Sequence, residues 1–247
     1  MCQVPDIQIL YEDSALLAVN KPAGLSTLPD GYDPSLPHVK RILEQQAGKL
    51  WVVHRLDKET SGVLLFARSA EAHRSLNTQF ERHQVLKRYH ALVRGDPVWQ
   101  KRSINLPLQP NGDRRHRTVI DLDHGKPALT HLNVLERFGQ YSLLEVEPHT
   151  GRTHQIRAHL SSEGLTIMGD KLYGDWKFNY LTNMEAQSQN DVNELKMLIT
   201  GMGLHARFLE FTHPDSGQRL KFEAPYPAWW EVVLERLRKI NCLDMDY

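Results

Sequence analysis

The chain has 247 residues, which suits one large domain or two small ones and allows a sizeable hydrophobic core. Its composition, 40% hydrophobic and 24% charged, is that of a soluble globular protein, and no apolar run approaches the roughly 18–20 residues of a membrane span. The 30 basic and 30 acidic residues cancel, which argues against a protein that coats nucleic acid in general.

The N-terminal segment and the cysteines favour a cytoplasmic location. Residues 1–10 contain no basic segment followed by a long apolar one, so we expect no signal peptide. Cys2 and Cys242 lie near opposite ends of the chain and form no C-x-x-C pair. We therefore expect free thiols in a reducing compartment.

The first third of the chain predicts two strands, a helix and two more strands. A strand pair is predicted over residues 7–24, with a turn at the sequence EDS. A helix capped by Ser35 is predicted over residues 35–48. Two further predicted strands, 51–53 and 63–67, flank the loop HRLDKETSG.

The rest of the chain alternates between predicted helices and strands. Helices are predicted over 69–83 with Ser69 as cap, 153–164 with Thr153 as cap, and 228–240, and strands over 87–95, 219–225 and a hairpin at 129–151. Residues 175–203 are polar in their middle and interrupt this pattern, so we predict an insertion there. Because several adjacent strands read as hairpins, the order of elements favours an α+β fold over a regular βαβ repeat.

Asp57 lies in the loop HRLDKETSG between two apolar strands, and its charge admits two interpretations. It forms either an ordinary salt-bridged turn or a carboxylate held in a basic cleft for nucleophilic work. A carboxylate with the second role must stay ionised, and a neighbouring guanidinium lowers its pKa. Arg55 and Lys58 are local candidates for that cation, and Arg152 and Arg157 are distant ones.

A basic stretch covers residues 82–117, with nine arginines and lysines against two aspartates, a local charge of nine minus two, or +7. Such a stretch in a neutral protein is typical of a phosphate-binding surface, but it also fits a solvated loop. The cations are Arg82, Lys87, Arg88, Arg94, Lys101, Arg102, Arg114, Arg115 and Arg117.

The usual motifs for metals, nucleotides and serine nucleophiles are missing from the sequence. Thirteen histidines occur without an H-E-x-x-H or C-x-x-C frame, so we expect no metal. There is no G-x-G-x-x-G or Walker motif, although HTGRTHQIR places a glycine and two arginines where a helix N-terminus would suit a phosphate. Ser61 has no G-x-S-x-G context and no assignable partner.

The loop HRLDKETSG resembles the signature of the RluA-type pseudouridine synthases. Segments similar to other motifs of that family occur on both sides of the loop, over residues 7–228, in the order that the family has. They are NKPAG, KRYHALVRG, LLEVEPHTGRTHQIRAHL, IMGDKLYG and LHARFLEF. The resemblance implies isomerisation of selected uridines in rRNA or tRNA to pseudouridine after the base is flipped out. It also implies a mixed, mostly antiparallel sheet with flanking helices and a central RNA-binding cleft, and no metal or organic cofactor.

The resemblance assigns roles to individual residues. Asp57 matches the catalytic aspartate, Tyr89 the tyrosine that packs on the uracil ring, and Arg157 the basic residue that pairs with the aspartate. Arg55 matches an arginine that enters the RNA stack, and Leu204 an apolar residue near the base. Tyr89 and Leu204 are also compatible with ordinary core positions. Further substrate-binding candidates are His54, Arg152, Lys87 and Arg88.

Many relatives carry a small RNA-binding domain ahead of the catalytic one, whereas here the resemblance begins by residue 7. We therefore expect a single catalytic domain over residues 1–247, without that accessory domain, acting as a monomer. Two other functions stay open at this point. One is a catalytically idle RNA-binding protein, and the other is a metal-dependent RNA hydrolase that uses the histidines.

Overall fold

The computed structural model describes residues 6–174 and 199–243, so most of the predicted insertion at 175–203 lies outside the described residues. The helices are α1 (Val39–Ala47), α2 (Ala70–Glu81), α3 (Gln155–Ser162) and α4 (Ala228–Leu243). The strands are β1 (Gln8–Glu12), β2 (Leu16–Lys21), β3 (Trp51–Val52), β4 (Ser61–Ala67), β5 (Leu86–Arg94), β6 (Lys101–Asn105), β7 (Leu108–Gln109), β8 (Val119–Ile120), β9 (Leu129–Phe138), β10 (Tyr141–Pro148), β11 (Thr166–Ile167), β12 (Leu204–Thr212) and β13 (Arg219–Glu223).

The chain divides into two compact units. One comprises the described parts of Met1–Tyr89 and His205–Tyr226, and the other those of His90–Leu204 and Pro227–Tyr247. Strands β4 and β12 pair in parallel, whereas β1 with β2, β2 with β4, β9 with β10 and β6 with β9 pair antiparallel, and helices accompany both sets of strands. This confirms the α+β class with mixed, mostly antiparallel strands. The single catalytic domain over residues 1–247 stays a prediction.

The first unit is built around β4, in which every residue is buried. Strands β1, β2, β4 and β12 follow one another in the sheet. Because side chains alternate along a strand, Val63 and Leu65 pack into a cluster with residues of α2, whereas Leu64 and Phe66 pack with residues of α1. The continuous apolar run VLLFA therefore reflects a sheet that is covered on both faces.

The second unit contains the predicted hairpin of β9 and β10, which follow β5 in the sheet order and precede β6. Gly139 has φ +63° in the hairpin turn, a conformation that glycine adopts without steric cost. Strands β7 and β8 form a separate pair. The helix predicted over 228–240 is confirmed by α4, which buries Trp230, Val233 and Leu237.

Ser69 caps α2 as predicted, but the other two predicted caps are wrong. Helix α1 begins after His38, whose Nδ1 accepts the N–H of Arg41, because Pro37 disfavours helical backbone at the residue before it. Helix α3 begins after His154, which has φ +50° and makes no side-chain capping bond, so Thr153 is not its cap.

The part of the chain that the structure describes contains no helix both long and apolar enough to span a membrane.

Candidate active site

The loop that carries Asp57 joins β3 to β4 in the first unit and is anchored through its backbone. Thr27 Oγ1 donates to the carbonyl of Leu56 at 3.0 Å and accepts its N–H at 3.2 Å, which replaces a rung of strand pairing. The carbonyl of Lys58 accepts the N–H of Gly24 at 2.8 Å. Both neighbours of Asp57 are thus fixed, and the half-buried carboxylate lies between them.

Lys21 supports the same loop from inside the unit. Its side chain is fully buried, and its Nζ donates to the carbonyls of Pro22, Leu25 and Lys58 at 2.8, 2.7 and 3.0 Å. Burial lowers the pKa of Lys21 to about 7, and the negative charges of Glu59 and Asp57 partly oppose that shift. The lysine of the NKPAG segment therefore ties the Asp57 loop to residues 22–25 through hydrogen bonds to their backbone carbonyls.

The C-terminal end of the loop is held by the pairing of β4 with β12. Ser61 Oγ lies 2.8 Å from Nδ1 of His205, whose Nε2 lies 3.2 Å from the carbonyl of Ala224. Because a carbonyl can only accept, Nε2 carries the proton and the Ser61 hydroxyl donates to Nδ1. Burial lowers the pKa of His205 to about 4, so the imidazole is neutral. His205 is therefore the partner of Ser61, and their hydrogen bond holds β4 to β12.

Tyr89 lies at the edge of the apolar cluster formed by residues of β4 and α1. Burial raises the pKa of Tyr89 well above its ordinary value, and the negative charge of Asp57 raises it further. The predicted aspartate and tyrosine therefore lie in one unit, with Tyr89 within range of the charge of Asp57. At neutral pH the phenol keeps its proton.

His54 is locked into the scaffold at the start of the loop. Its Nε2 accepts the N–H of Leu65 at 3.0 Å, and its ring stacks on Phe80 with centroids 5.0 Å apart. Burial lowers the pKa of His54 to about 3, and the charge of Lys87 adds to the effect. Its substrate-binding role stays a prediction.

The cations beside Tyr89 differ in exposure. Lys87 and Arg88 are half-buried on β5, and burial lowers the pKa of Lys87 to about 8. Arg55 is exposed on the Asp57 loop, as a side chain that enters an RNA stack must be. The first unit therefore carries Asp57 and Tyr89 together with these three cations.

Arg157 lies in the second unit, on α3, and is 8% exposed. Its Nε and Nη2 donate to the two carboxylate oxygens of Asp170 at 2.7 and 2.8 Å. Burial by itself would raise the pKa of Asp170, but the hydrogen bond and charge of Arg157 outweigh it and hold the pKa below its ordinary value. Asp170 belongs to the IMGDKLYG segment, for which the sequence analysis predicts no role.

The other two predicted residues of the second unit make local contacts. Arg152 donates from Nε to the carbonyl of Pro127 at 3.0 Å, and its N–H bonds the side chain of Gln155. Leu204 is 3% exposed at the start of β12, which fits the core position considered for it as well as a place near a base. Their substrate contacts stay predictions.

One group of possible metal ligands occurs among the described residues: Asp121, Asp123 and His124, largely exposed on a turn. Two nearby histidines behave differently: His159 on α3 is buried and bonds Thr130 and the carbonyl of Leu106, whereas His154, which precedes α3, contacts the hydroxyl of Tyr173. The expectation that no metal is needed stays a prediction.

Comparison with known proteins identifies the family. A family model described as RNA pseudouridylate synthase matches residues 15–162, which include the Asp57 loop, Tyr89 and Arg157. The chain belongs to the RNA pseudouridylate synthase family. It is therefore a pseudouridine synthase, an isomerase, and the resemblance carried by HRLDKETSG is confirmed.

Curated members of this family are similar over most of the chain. Ribosomal large subunit pseudouridine synthase D of Pseudomonas aeruginosa is 37% identical over 247 residues, covering 97% of this chain and 74% of its own. Ribosomal large subunit pseudouridine synthase C of Vibrio vulnificus is also 37% identical, over 232 residues, covering 93% and 69%. Among solved structures, human RNA Pseudouridylate Synthase Domain Containing 4 matches with TM-score 0.73 and 27% identity, covering 94% of this chain and 93% of the other.

Sequence reasoning missed the residues that hold the site in this pseudouridine synthase. Lys21 and Thr27 anchor the Asp57 loop, and Asp170 and Tyr173 contact Arg157. The signal was present, because the NKPAG and IMGDKLYG segments contain three of the four. The local sequence around Lys21 and Asp170 nevertheless does not indicate which distant residues they contact.

Proposed function

We propose that this pseudouridine synthase isomerises specific uridines in the RNA of the large ribosomal subunit, with Asp57, Tyr89 and Arg157 as catalytic residues. The observation that carries the proposal is the half-buried Asp57 carboxylate, on a loop anchored at both neighbours, whose charge reaches the protonated Tyr89. The substrate follows from the names of the similar proteins, which refer to the large ribosomal subunit.

In the proposed reaction the target uridine leaves the RNA stack, because its glycosidic bond is inaccessible inside folded RNA. The C1′–N1 bond breaks, the uracil turns, and C5 forms the new bond to C1′. The C5 proton is released and N1 gains a proton, so atoms balance between two isomers. Asp57 acts at the sugar as nucleophile or base, while Tyr89 stacks under the uracil and assists its proton transfer.

Binding of the RNA is assigned to the cationic and apolar residues around these groups. Arg55 fills the gap left by the flipped base, since a guanidinium plane stacks on bases. Lys87, Arg88 and Arg152 contact phosphates, and His54 and Leu204 shape the pocket for the base. We also propose that the protein acts as a monomer in the cytoplasm and needs no metal or cofactor.

The decisive experiment maps pseudouridines in total RNA from cells with and without the gene. We expect one or a few sites in large-subunit rRNA to disappear, and to return with the wild-type chain but not with Asp57→Asn, which keeps the side-chain shape and removes the charge. In vitro, kcat should fall by at least about a thousandfold in Asp57→Asn. Unchanged maps, or loss confined to tRNA, would contradict the rRNA proposal.

The same maps test the other two functions considered from the sequence. A catalytically idle RNA-binding protein would leave the maps unchanged when its gene is removed. A metal-dependent hydrolase would also leave them unchanged, and in vitro it would cleave RNA and lose that activity with chelator.

A further inference from the structure

Tyr173 lies between Arg157 and the loop that joins β7 to β8 in the second unit. We call this loop, residues 110–118, the arginine loop after its three arginines: Arg114, Arg115 and Arg117. The Tyr173 hydroxyl donates to the carbonyl of Thr118 at 3.1 Å and accepts the N–H of the same residue at 2.8 Å. The base of the arginine loop is therefore fastened to one phenol through both of its backbone polar groups.

The arginine loop is folded so that two of its cations face solvent. Asp113 Oδ1 accepts the N–H groups of Arg115 and Arg117 at 2.9 and 3.0 Å, and its Oδ2 binds Nε of Arg117 at 2.6 Å. Asp113 thus neutralises Arg117 and rigidifies the turn, whereas Arg114 and Arg115 are exposed, and Nη2 of Arg115 also donates to the carbonyl of Lys171 at 3.4 Å. Exposed guanidinium groups on a rigid turn suit the phosphates of an RNA backbone.

The ring of Tyr173 contacts the other element, Arg157. The Cζ of Arg157 lies 4.9 Å from the ring centroid, and the edge of the same guanidinium is bound by Asp170. Asp170 also accepts the N–H of Tyr173 at 3.1 Å. One short segment therefore holds the guanidinium by its edge and by its face, so Arg157 cannot turn unless both contacts break.

His154 completes the surroundings of the phenol. Its Nδ1 lies 3.2 Å from the Tyr173 hydroxyl, and its ring meets the Tyr173 ring edge-on at 5.7 Å. Because the hydroxyl proton is used on Thr118, His154 must donate from Nδ1. The hydroxyl is consequently saturated with partners, as expected of a group that fixes geometry.

We propose that Tyr173 is a positioning residue that couples the binding of RNA phosphates by the arginine loop to the orientation of Arg157. The inference rests on the proposed function, since it takes RNA as ligand and Arg157 as catalytic. The hydroxyl bonds Thr118 and His154, whereas the ring contacts Arg157 and, at 6.0 Å, the Cζ of Arg117. Loss of the hydroxyl alone therefore releases the base of the loop and leaves the ring over Arg157. Binding of RNA to the loop and correct placement of Arg157 then favour each other, as linked equilibria require.

Two substitutions of Tyr173 separate the effects in the full-length protein. Tyr173→Phe removes the bonds to Thr118 and keeps the ring over Arg157; we expect Kd for rRNA to rise about three- to tenfold with kcat within about twofold of wild type. Tyr173→Leu removes the ring as well, and kcat should fall by about tenfold or more. Turnover is measured as tritium release from rRNA labelled at uridine C5, and Kd by filter binding of the same RNA.

Tyr11 offers a matched control in the first unit. It is also half-buried and its hydroxyl donates one bond, to Asp13 at 2.8 Å, but it has no link to Arg157 or to the arginine loop among the described contacts. Tyr11→Phe and Tyr11→Leu should leave Kd and kcat within about twofold of wild type. If Tyr173→Leu changes kcat no more than Tyr11→Leu does, the proposal is wrong.

A double-mutant cycle tests the coupling itself. In a chain that carries Arg114→Ala and Arg115→Ala, the loop no longer binds phosphates, so Tyr173→Phe should alter Kd by less than about twofold. If Tyr173→Phe weakens binding by the same factor with and without those arginines, the coupling does not exist. Absence of tritium release from wild type would instead contradict the proposed function, and the binding cycle would still decide the role of Tyr173.

Discussion

Asp57 and Arg157 are fixed by two different kinds of contact. The Asp57 loop is held by Thr27 and Lys21, which bond the main-chain groups of the neighbours of Asp57. These bonds do not involve the Asp57 carboxylate itself. Arg157 is held through its own charged group by Asp170. Loss of an anchor should therefore loosen the geometry in the first case and unbalance a buried charge in the second.

The largest expected effect comes from Asp170→Asn. This substitution removes the charge of Asp170 from its bidentate pair with the buried Arg157, so the free energy of unfolding should fall by about 3–5 kcal/mol in urea titrations. Glu136→Gln is the matched control, because its pair with Arg238 has side chains 36% and 50% exposed and should cost less than about 1 kcal/mol. Equal losses in the two variants would mean that Asp170 does not hold Arg157 as a buried charge.

A smaller effect is expected from Thr27→Val. The methyl group of valine cannot form hydrogen bonds, so the buried N–H and carbonyl of Leu56 lose their partner. The free energy of unfolding should fall by about 2–3 kcal/mol. Looser placement of Asp57 should also lower kcat by about tenfold, and Thr27→Ser should recover most of both losses.

Thr78→Val removes a hydroxyl bond on the exposed side of α2, to the carbonyl of Arg74, and serves as the control. It should leave kcat unchanged. A full kcat in Thr27→Val would mean that the backbone anchors do not set the geometry of Asp57.

The third effect depends on pH and concerns Lys21. Its pKa in the folded chain is about 7, below its ordinary 10.5, so between these values the unfolded chain binds the extra proton. The free energy of unfolding should then rise with pH across this window, by up to about 1.4 kcal/mol per pH unit from Lys21.

Lys21→Met isolates this contribution, since it cannot titrate. The difference in unfolding free energy between wild type and Lys21→Met, measured in urea at pH 7, 8 and 9, should grow in favour of wild type. A difference that is flat over this range would show that Lys21 keeps its charge when buried.

The sequence predicted elements well where local chemistry decides them. Helix α2 has a serine cap and a regular apolar period, and it was located with its cap. The starts of α1 and α3 were wrong because Pro37 and the left-handed backbone of His154 override the nearby Ser35 and Thr153. Cap residues are common enough that backbone restrictions decide which one is used.

The site was predictable as far as the family resemblance names its residues. The supports of Asp57 and Arg157 were not, because they join positions far apart in sequence: Thr27 meets Leu56, and Ser61 meets His205 across 144 positions. The second pair depends on the register of β4 and β12 and the first on the packing of two loops, and no local pattern encodes either.

Gly62 shows how little freedom remains at the end of the Asp57 loop. It has φ +114°, and a Cβ built there would lie 2.2 Å from the carbonyl oxygen of Ala206 on β12. Any side chain would force the two strands apart at the point where the loop re-enters the sheet. An engineer who grafts a new loop onto this scaffold must therefore keep glycine at 62, and can redesign only the residues that precede it.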